Sequence, residues 1–188
     1  MKKLIMTNWT TLDGYIAGPT GDMDWVRGDD ELSDYEIGMV SAADTMLLGK
    51  KTYQDFAQYW SAVPASSTAM PWEKEYAAKI NALDHVVISR TLQKADWGRS
   101  TLWRELDRAQ VEALKAAPGS SILMYGSATI VQQLTNMGLL DEYHLLVHPL
   151  LLGGGRLLLD NIEHRVPLEL ADVHRFKSGV LQLVYRRA

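Results

Sequence analysis

Three short segments of the sequence combine glycine or basic residues with hydroxyl side chains, a combination that suits a bound phosphate. In the first segment, Gly126, Ser127, Ala128 and Thr129 follow an apolar run and open a helix-like stretch. A glycine lets a phosphate approach the backbone, and the free N–H groups at a helix start attract the anion. The segment therefore predicts an anion site. An ordinary tight turn in which Ser127 caps the helix is the alternative.

The second segment consists of Gly49, Lys50, Lys51 and Thr52, which follow the run TMLL at a predicted helix start. Lysines are unfavourable at the positive end of a helix dipole, so a bound anion would explain both of them. Two solvated lysines are the alternative. The segment is not a Walker A loop, because it lacks the G-x-x-x-x-G-K-[ST] spacing.

The third segment places Ser89 and Arg90 directly after the run HVVI. A hydroxyl and a guanidinium at a strand end suit a phosphate monoester, such as the extra phosphate that distinguishes NADP from NAD. A polar loop without a ligand is the alternative. Together, three such segments indicate one long phosphorylated ligand, and a dinucleotide fits better than a mononucleotide.

A sheet must position these segments, because each of them follows a short apolar run typical of a strand. The runs predict strands at residues 4–6, 45–48, 85–89, 122–125 and 143–149, and a final hairpin over residues 168–176 and 180–186. Helical patterns and capping signals cover residues 33–43, 72–83, 107–117 and 127–137. This order predicts an α/β fold with a mostly parallel central sheet and antiparallel C-terminal strands. No linker divides residues 1–188, which we interpret as one domain whose ligands bind beyond the carboxyl ends of the strands.

Composition excludes several classes of protein. The chain has 188 residues, of which 47% are hydrophobic and 22% charged, as in globular domains. Its net charge of −4 argues against a nucleic-acid partner. Cysteine is absent, and His144 and His148 would lie about 13 Å apart on a strand, so no metal site is expected. No apolar run reaches ~18 residues and no signal peptide is evident, which predicts a cytoplasmic protein without a membrane contact.

An acidic stretch over residues 22–36 contains candidate proton donors. Asp24 or Asp30, beside Trp25, would supply a proton or bind a polar heterocycle. The alternative is a solvated loop followed by a helix start, where acidic side chains complement the helix dipole.

Six blocks of the sequence occur in the order found in a known family: TLDGYIAG (11–18), GDMDW (21–25), LLGKKTY (47–53), VVISRT (86–91), YGSATIVQQL (125–134) and DEYHLLVHPLLLGGGR (141–156). Over nearly the whole chain, they resemble the dihydrofolate reductase-like family, typified by the C-terminal reductase domain of the bifunctional riboflavin-biosynthesis deaminase/reductase. The resemblance implies a three-layer α/β sandwich with NADPH lying across the strand ends.

The resemblance also implies which residues hold the cofactor phosphates. Residues 126–129 match the segment that holds the pyrophosphate, and residues 49–52 match a segment near the phosphates. Ser89 and Arg90 match the segment that takes the 2′-phosphate.

The remaining site residues concern the nicotinamide and the substrate. The resemblance implies that the first strand and its following loop, from Trp9 to Ile16, line the nicotinamide. We expect Asp13 and Trp25 to contact the substrate. Trp25 and Asp30 have the five-residue spacing that dihydrofolate reductases show between a loop tryptophan and a carboxylate, although the surrounding Met-Pro-Trp signature is missing.

We therefore predict an NADPH-dependent reductase that transfers hydride to a small heterocyclic or carbonyl substrate, with Asp30 as the proton donor. One alternative is the 5-amino-6-(5-phosphoribosylamino)uracil reductase of riboflavin biosynthesis. A nucleotide-binding protein with little turnover is the alternative of another class. The leucine-rich residues 145–159, together with the resemblance, predict a homodimer.

Overall fold

The computed structural model describes residues 1–188 and contains an eight-stranded sheet with a separate two-stranded ribbon. The elements in chain order are β1 (Lys3–Thr11), β2 (Tyr15–Ala17), α1 (Asp30–Ser41), β3 (Thr45–Gly49), α2 (Lys50–Trp60), α3 (Pro71–Ala82), β4 (Asp84–Ile88), β5 (Arg99–Trp103), α4 (Arg108–Ala116), β6 (Ser121–Tyr125), α5 (Ala128–Asn136), β7 (Glu142–His148), β8 (Arg156–Leu157), β9 (Leu168–Arg175) and β10 (Leu181–Arg187). A short 3-10 helix, Val63–Ala65, links α2 to α3. No helix is longer than 12 residues, which is too short to cross a membrane.

The strand order in the large sheet is β5-β4-β3-β6-β1-β7-β10-β9. Neighbouring strands from β5 to β7 are parallel, whereas β10 is antiparallel to both β7 and β9. This topology confirms the predicted sheet. Its central strands are covered on both faces, which explains why β3 is buried at every position and apolar at Met46, Leu47 and Leu48.

Helices cover both faces of the sheet and complete the three layers. On one face, α5 contributes Val131 to a cluster that contains Met124 of β6. On the other face, Val40 of α1 and Ile80 of α3 pack in a cluster that contains Leu123 of β6. The neighbouring residues Leu123 and Met124 belong to opposite clusters, because successive side chains of a strand point to opposite faces.

Several elements differ from the sequence prediction at their boundaries. The prediction begins the first helix at Ser33, but α1 begins at Asp30, because Asp29 Oδ1 accepts a hydrogen bond from the Leu32 N–H at 2.9 Å and caps the helix. The prediction contains only the start of α2 and omits β5, an edge strand with no fully buried residue. It also omits the β2–β8 ribbon, whose strands have three and two residues.

The path of the chain opens a crevice at the carboxyl ends of the central strands. β3 and β6 are parallel neighbours, but α2 follows β3 onto one face of the sheet and α5 follows β6 onto the other. Such a switch point is where open α/β sheets bind their ligands.

Candidate active site

A cleft of about 860 Å³ lies at this switch point, a volume within the usual range for ligand and cofactor sites. Seven of the predicted cofactor residues line it: Trp9, Ile16, Lys51, Thr52, Gly126, Ser127 and Ala128. The fold thus brings together residues that are more than 100 positions apart in the sequence.

The starts of α2 and α5 touch each other beside this cleft. Gly49 and Ser127 occupy the two N-cap positions, and neither makes a side-chain cap hydrogen bond. A Cβ on Gly49 would lie 2.8 Å from the Ser127 Cβ, so the approach requires glycine. Gly126 has φ +44°, and its N–H donates to Asn8 Oδ1 at 3.3 Å. Two uncapped, positive helix ends therefore converge on one place.

Arg156 adds a positive charge that the sequence prediction missed; the only signal was a basic residue after three glycines. Its Nη2 donates to Thr129 Oγ1 at 3.0 Å, and Arg156 lines the cleft whereas Thr129 does not. Gly155 has φ +129°, and a Cβ there would collide with the Ala17 carbonyl oxygen, so the glycine lets β8 pack on β2. We use the name phosphate arm for the part of the cleft lined by Lys51, Thr52, Gly126, Ser127, Ala128 and Arg156.

Asp13 lies outside the cleft and holds the glycine-rich segment in place. Its carboxylate accepts hydrogen bonds from the Thr11 hydroxyl at 2.5 Å and from the N–H groups of Gly153 at 2.8 Å and Leu152 at 3.1 Å. These bonds, that from Thr11 first, lower the pKa of Asp13 to about 2. Asp13 therefore acts as a clamp on the segment leading to Arg156, and it does not line the cleft.

The third predicted segment, at the end of β4, lies beside the start of α2 but does not line the cleft. Lys50 Nζ donates to Thr91 Oγ1 at 2.8 Å. Ser89 is buried, and its Oγ accepts hydrogen bonds from the N–H groups of Thr91 at 3.2 Å and Leu92 at 2.9 Å. Arg90 is exposed. Arg90 follows β4, which lies two strands, or about 10 Å, from β6 and its Gly126 turn. We use the name basic corner for Lys50 and Arg90, because the Lys50 side chain reaches Thr91, the residue after Arg90.

A carboxyl group occupies the part of the cleft on the α1–α3 face. Glu36, in the middle of α1, lines the cleft, and its Oε1 accepts a hydrogen bond from Trp9 Nε1 at 2.9 Å. Burial raises the pKa of Glu36 to about 7, because the carboxylate loses its hydration. The sequence prediction missed Glu36, because that prediction sought ligand contacts directly after strand ends and Glu36 lies in the middle of a helix.

Aromatic rings surround this carboxyl group. Tyr76 of α3 and Tyr125 of β6 line the cleft, and burial, with a contribution from the charge of Glu36, raises the pKa of both phenols. The Tyr125 hydroxyl is buried beside the Tyr76 hydroxyl. Phe56 packs against Tyr125 and Trp60 against Tyr76, with ring centroids 5.5 and 4.6 Å apart. We use the name aromatic arm for the part of the cleft lined by Trp9, Glu36, Phe56, Trp60, Trp72, Tyr76 and Tyr125.

Two residues expected at the substrate lie away from the cleft. Asp30 is exposed in the first turn of α1 and does not line the cleft. It precedes Glu36 by six residues, or about 240° around the helix axis, so the two side chains leave the helix in different directions. Trp25 packs edge-on against His148, with ring centroids 5.1 Å apart. The five-residue spacing therefore brings neither residue to the cleft.

Comparison with known proteins agrees with this architecture. A family model described as the RibD C-terminal domain matches residues 2–182. The chain belongs to the RibD C-terminal domain family. It is 31% identical over 184 residues to the uncharacterized protein YyaP of Bacillus subtilis (strain 168), covering 98% of this chain and 94% of YyaP.

Solved structures extend the comparison of this RibD C-terminal domain at the level of the fold. A candidate riboflavin biosynthesis protein from Shewanella sp. PV-4 has a TM-score of 0.77 at 21% identity, with 99% of each chain covered. Dihydrofolate reductase from Enterococcus faecalis, complexed with NADP(H), has a TM-score of 0.64 at 12% identity, covering 98% of this chain and 96% of that one. These likenesses confirm the dihydrofolate reductase-like sandwich.

The raised pKa of Glu36 predicts how the stability of this RibD C-terminal domain depends on pH. Between pH 4.5 and about pH 7, the unfolded chain releases the Glu36 proton while the folded chain retains it, so this group lowers the free energy of unfolding as pH rises. Glu36→Gln removes the effect. We expect the variant to gain up to about 3 kcal/mol relative to the wild type between pH 4.5 and about pH 8.

Chemical denaturation across this pH range measures the difference. Asp34→Asn is the matched control, because Asp34 is an exposed acid on the same helix, and its curve should follow that of the wild type. Parallel curves for the wild type and Glu36→Gln would show that the pKa of Glu36 is ordinary.

Proposed function

We propose that this chain is an NADPH-dependent reductase acting on a small substrate. One observation carries the proposal: a single cleft joins two uncapped helix starts to Glu36, a carboxyl group whose burial raises its pKa. The helix starts suit the phosphates of a dinucleotide, and the carboxyl group suits a reaction that adds a proton with the hydride. Membership of the RibD C-terminal domain family, and NADP(H) in the similar Enterococcus enzyme, support the same cofactor.

The phosphate arm fits a diphosphate group. A Cβ on Gly126 would lie 3.2 Å from Thr52 Oγ1, so the missing side chain leaves a cradle between α2 and α5. The N–H groups of Ala128 and Thr129, together with the Arg156 guanidinium, would bind the diphosphate oxygens there.

With the diphosphate in this cradle, the other parts of the cofactor lie near further predicted residues. Lys50 and Arg90 would bind the 2′-phosphate, while the Ser89 oxygen already accepts two backbone bonds and keeps only its O–H to donate. Trp9 and Ile16 would wall the nicotinamide, because both line the cleft between its two arms.

Glu36 is the proton source in this proposal, in place of Asp30. NADPH, when bound, supplies the hydride, and the protein orients the reactants and excludes water. With a pKa of about 7, Glu36 is partly protonated at neutral pH and can give its proton to a substrate atom in the aromatic arm. The pH dependence of stability described above tests this assignment, since a carboxyl with an ordinary pKa would be ionised.

Two alternative functions differ from this proposal, one in its substrate and the other in having little turnover. A riboflavin-pathway reductase acting on a phosphoribosylated pyrimidine is supported by the family and by the Shewanella neighbour. A nucleotide-binding protein with little turnover would bind NADPH but would not oxidise it with any substrate. NADPH oxidation against a panel of pterins, pyrimidines and quinones separates the three.

The cofactor site is tested by two neighbouring substitutions. Gly126→Val should abolish NADPH binding, because its side chain would fill the cradle and because φ +44° strains any L side chain. Ser127→Ala should weaken binding only about fivefold, a loss of about 1 kcal/mol for one hydrogen bond. Since the Ser127 hydroxyl caps nothing, the melting temperature of the Ser127→Ala variant should equal that of the wild type.

Calorimetric titration of NADPH, beside a thermal melt of each variant, gives both quantities. A folded Gly126→Val protein that binds NADPH normally would exclude the diphosphate from this turn and would overturn the proposal.

The basic corner predicts cofactor preference. The wild type should bind NADPH at least several-fold more tightly than NADH, because Lys50 and Arg90 form charge-assisted hydrogen bonds only with the 2′-phosphate. Arg90→Ala should remove most of the difference, whereas Lys94→Ala, an exposed cation of the same loop, should not. Equal affinities of the wild type for the two cofactors would contradict the assignment.

We also propose that two copies of the chain associate. Leu151 of the leucine-rich residues 145–159 is 71% exposed, and the edge strand β9 exposes Leu170 and Val173 by 55% and 50%. Exposed apolar side chains on an unpaired sheet edge favour pairing with another chain.

Light scattering at micromolar concentration should give twice the mass of one chain. The double variant Leu170→Lys/Val173→Lys should give the mass of a monomer if β9 forms the interface, and Leu151→Lys should do so if the leucine-rich segment forms it. A wild-type protein with the mass of one chain would refute association.

A further inference from the structure

Asp13 joins two segments that both lead to residues of the cleft. It lies in the turn between β1 and β2, and Trp9 of β1 and Ile16 of β2 line the cleft. Its carboxylate accepts hydrogen bonds from two N–H groups of residues 152–155, the glycine-rich segment, which leads directly to Arg156. One carboxylate therefore fixes the glycine-rich segment to the wall formed by β1 and β2.

Arg156 depends on this attachment, because the residues before it have no side chains. A Cβ on Gly153 or Gly154 would meet nothing within 4 Å, so no side-chain packing surrounds these two residues. Glycine also has the most conformational freedom to lose on ordering. Arg156 itself is exposed, and its guanidinium donates one hydrogen bond, from Nη2 to Thr129 Oγ1 at 3.0 Å. What holds the glycine-rich segment therefore sets the position of the guanidinium.

Two backbone contacts flank the glycine-rich segment. Before it, the Leu12 N–H donates to the Leu150 carbonyl oxygen at 3.0 Å, and after it β8 pairs with β2 over two residue pairs. Between these contacts the segment is held by Asp13, and hydrogen bonds to an ionised group are about twice as strong as those between neutral groups. An asparagine in its place would turn an NH2 group toward N–H donors and could not make the same bonds.

Asp13 carries the wrong charge to help a diphosphate directly. A carboxylate near an anion opposes the binding of that anion, so an effect through space predicts tighter binding when the carboxylate is removed. An effect through Arg156 predicts the reverse, because a guanidinium that is no longer held in place forms fewer charge-assisted hydrogen bonds to the diphosphate. The sign of the change in affinity therefore separates the two effects.

We infer that Asp13 is a positioning residue for the cofactor diphosphate and that it acts through Arg156. This inference rests on the proposed function, because it takes a diphosphate as the ligand of the phosphate arm. Asp13 does not line the cleft itself. It holds the Arg156 guanidinium beside Thr129 in the free protein, so binding does not require the glycine-rich segment to become ordered.

The first measurement uses the protein without a ligand. It records the NMR signal of the Arg156 Nε–H group, identified by its loss in Arg156→Lys. We expect Asp13→Asn to shift this signal toward its position in Thr129→Val, which lacks the hydrogen bond, and to speed hydrogen exchange at Gly153. Asp34→Asn, which removes an exposed carboxylate of α1, should leave the signal unchanged.

Calorimetric titration of NADPH gives the effect on binding. We expect Asp13→Asn to bind NADPH at least about fivefold more weakly than the wild type. The double variant Asp13→Asn/Arg156→Ala should bind no more weakly than Arg156→Ala, because the effects of residues that act through one another do not add. The ratio of the NADPH and NADH affinities should stay at its wild-type value, since the basic corner is a separate contact.

A second pair of variants keeps the test decisive if Asp13→Asn does not fold. Thr11→Val keeps the carboxylate but removes the hydroxyl that donates to it, so it should give a smaller loss of the same kind. Thr11→Ser, which retains the hydroxyl, should bind NADPH as the wild type does.

Three outcomes would overturn the inference. They are unchanged or tighter NADPH binding by Asp13→Asn, an equal further loss when Asp13→Asn is added to Arg156→Ala, and an unshifted Arg156 signal. A wild-type protein that does not bind NADPH would refute the proposed function instead. The Arg156 signal of the free protein would still decide whether Asp13 positions that side chain.

Discussion

Because Gly49 has no side chain, the first turn of α2 can lie against Ser127 at the start of α5. A Cβ at Gly49 would approach the Ser127 Cβ to 2.8 Å, and the two helices would have to separate. This close approach lets two helices that leave neighbouring strands for opposite faces of the sheet begin side by side. The crevice lies where the strand connections diverge, and the approach of Gly49 to Ser127 brings two positive helix ends together at its edge.

The same contact leaves backbone N–H groups without side-chain partners. Asp29 satisfies such groups at the start of α1 and Asp107 at the start of α4, whereas α3, which starts after Met70, also lacks a side-chain cap. At α2 and α5 the cap positions hold Gly49 and Ser127, and no side chain fills that role. The local rule for a stable helix start is broken at two adjoining places, which is where a functional site is expected.

Glu36 shows a second departure from the rule for stability. An ionised carboxyl in an aromatic setting is unfavourable, and the single hydrogen bond from Trp9 does not offset the lost hydration, so the pKa rises to about 7. Asp13 shows the opposite balance, because hydrogen bonds to its carboxylate lower its pKa to about 2. The first arrangement gives Glu36 a pKa that suits the proton transfer proposed above, and the second fixes a loop.

The sequence by itself determined the sheet, most of its helices and the residues at its strand ends. Those features depend on local patterns: apolar runs for buried strands, Asp107 as a helix cap, a glycine at the end of β3 and another directly after β6. The boundaries of α1 and the exposed strand β5 were less predictable, because a shifted cap and a polar edge strand carry weak signals.

Only the tertiary structure decided which acidic and basic side chains share the cleft. Asp30 and Glu36 are close in the sequence, but the helical turn separates them, and only Glu36 lies in the cleft. Arg156 reaches the start of α5 because β8 pairs with β2, a contact between segments about 140 residues apart. Burial and long-range pairing set both outcomes, and neither can be read from the residues adjacent in the chain.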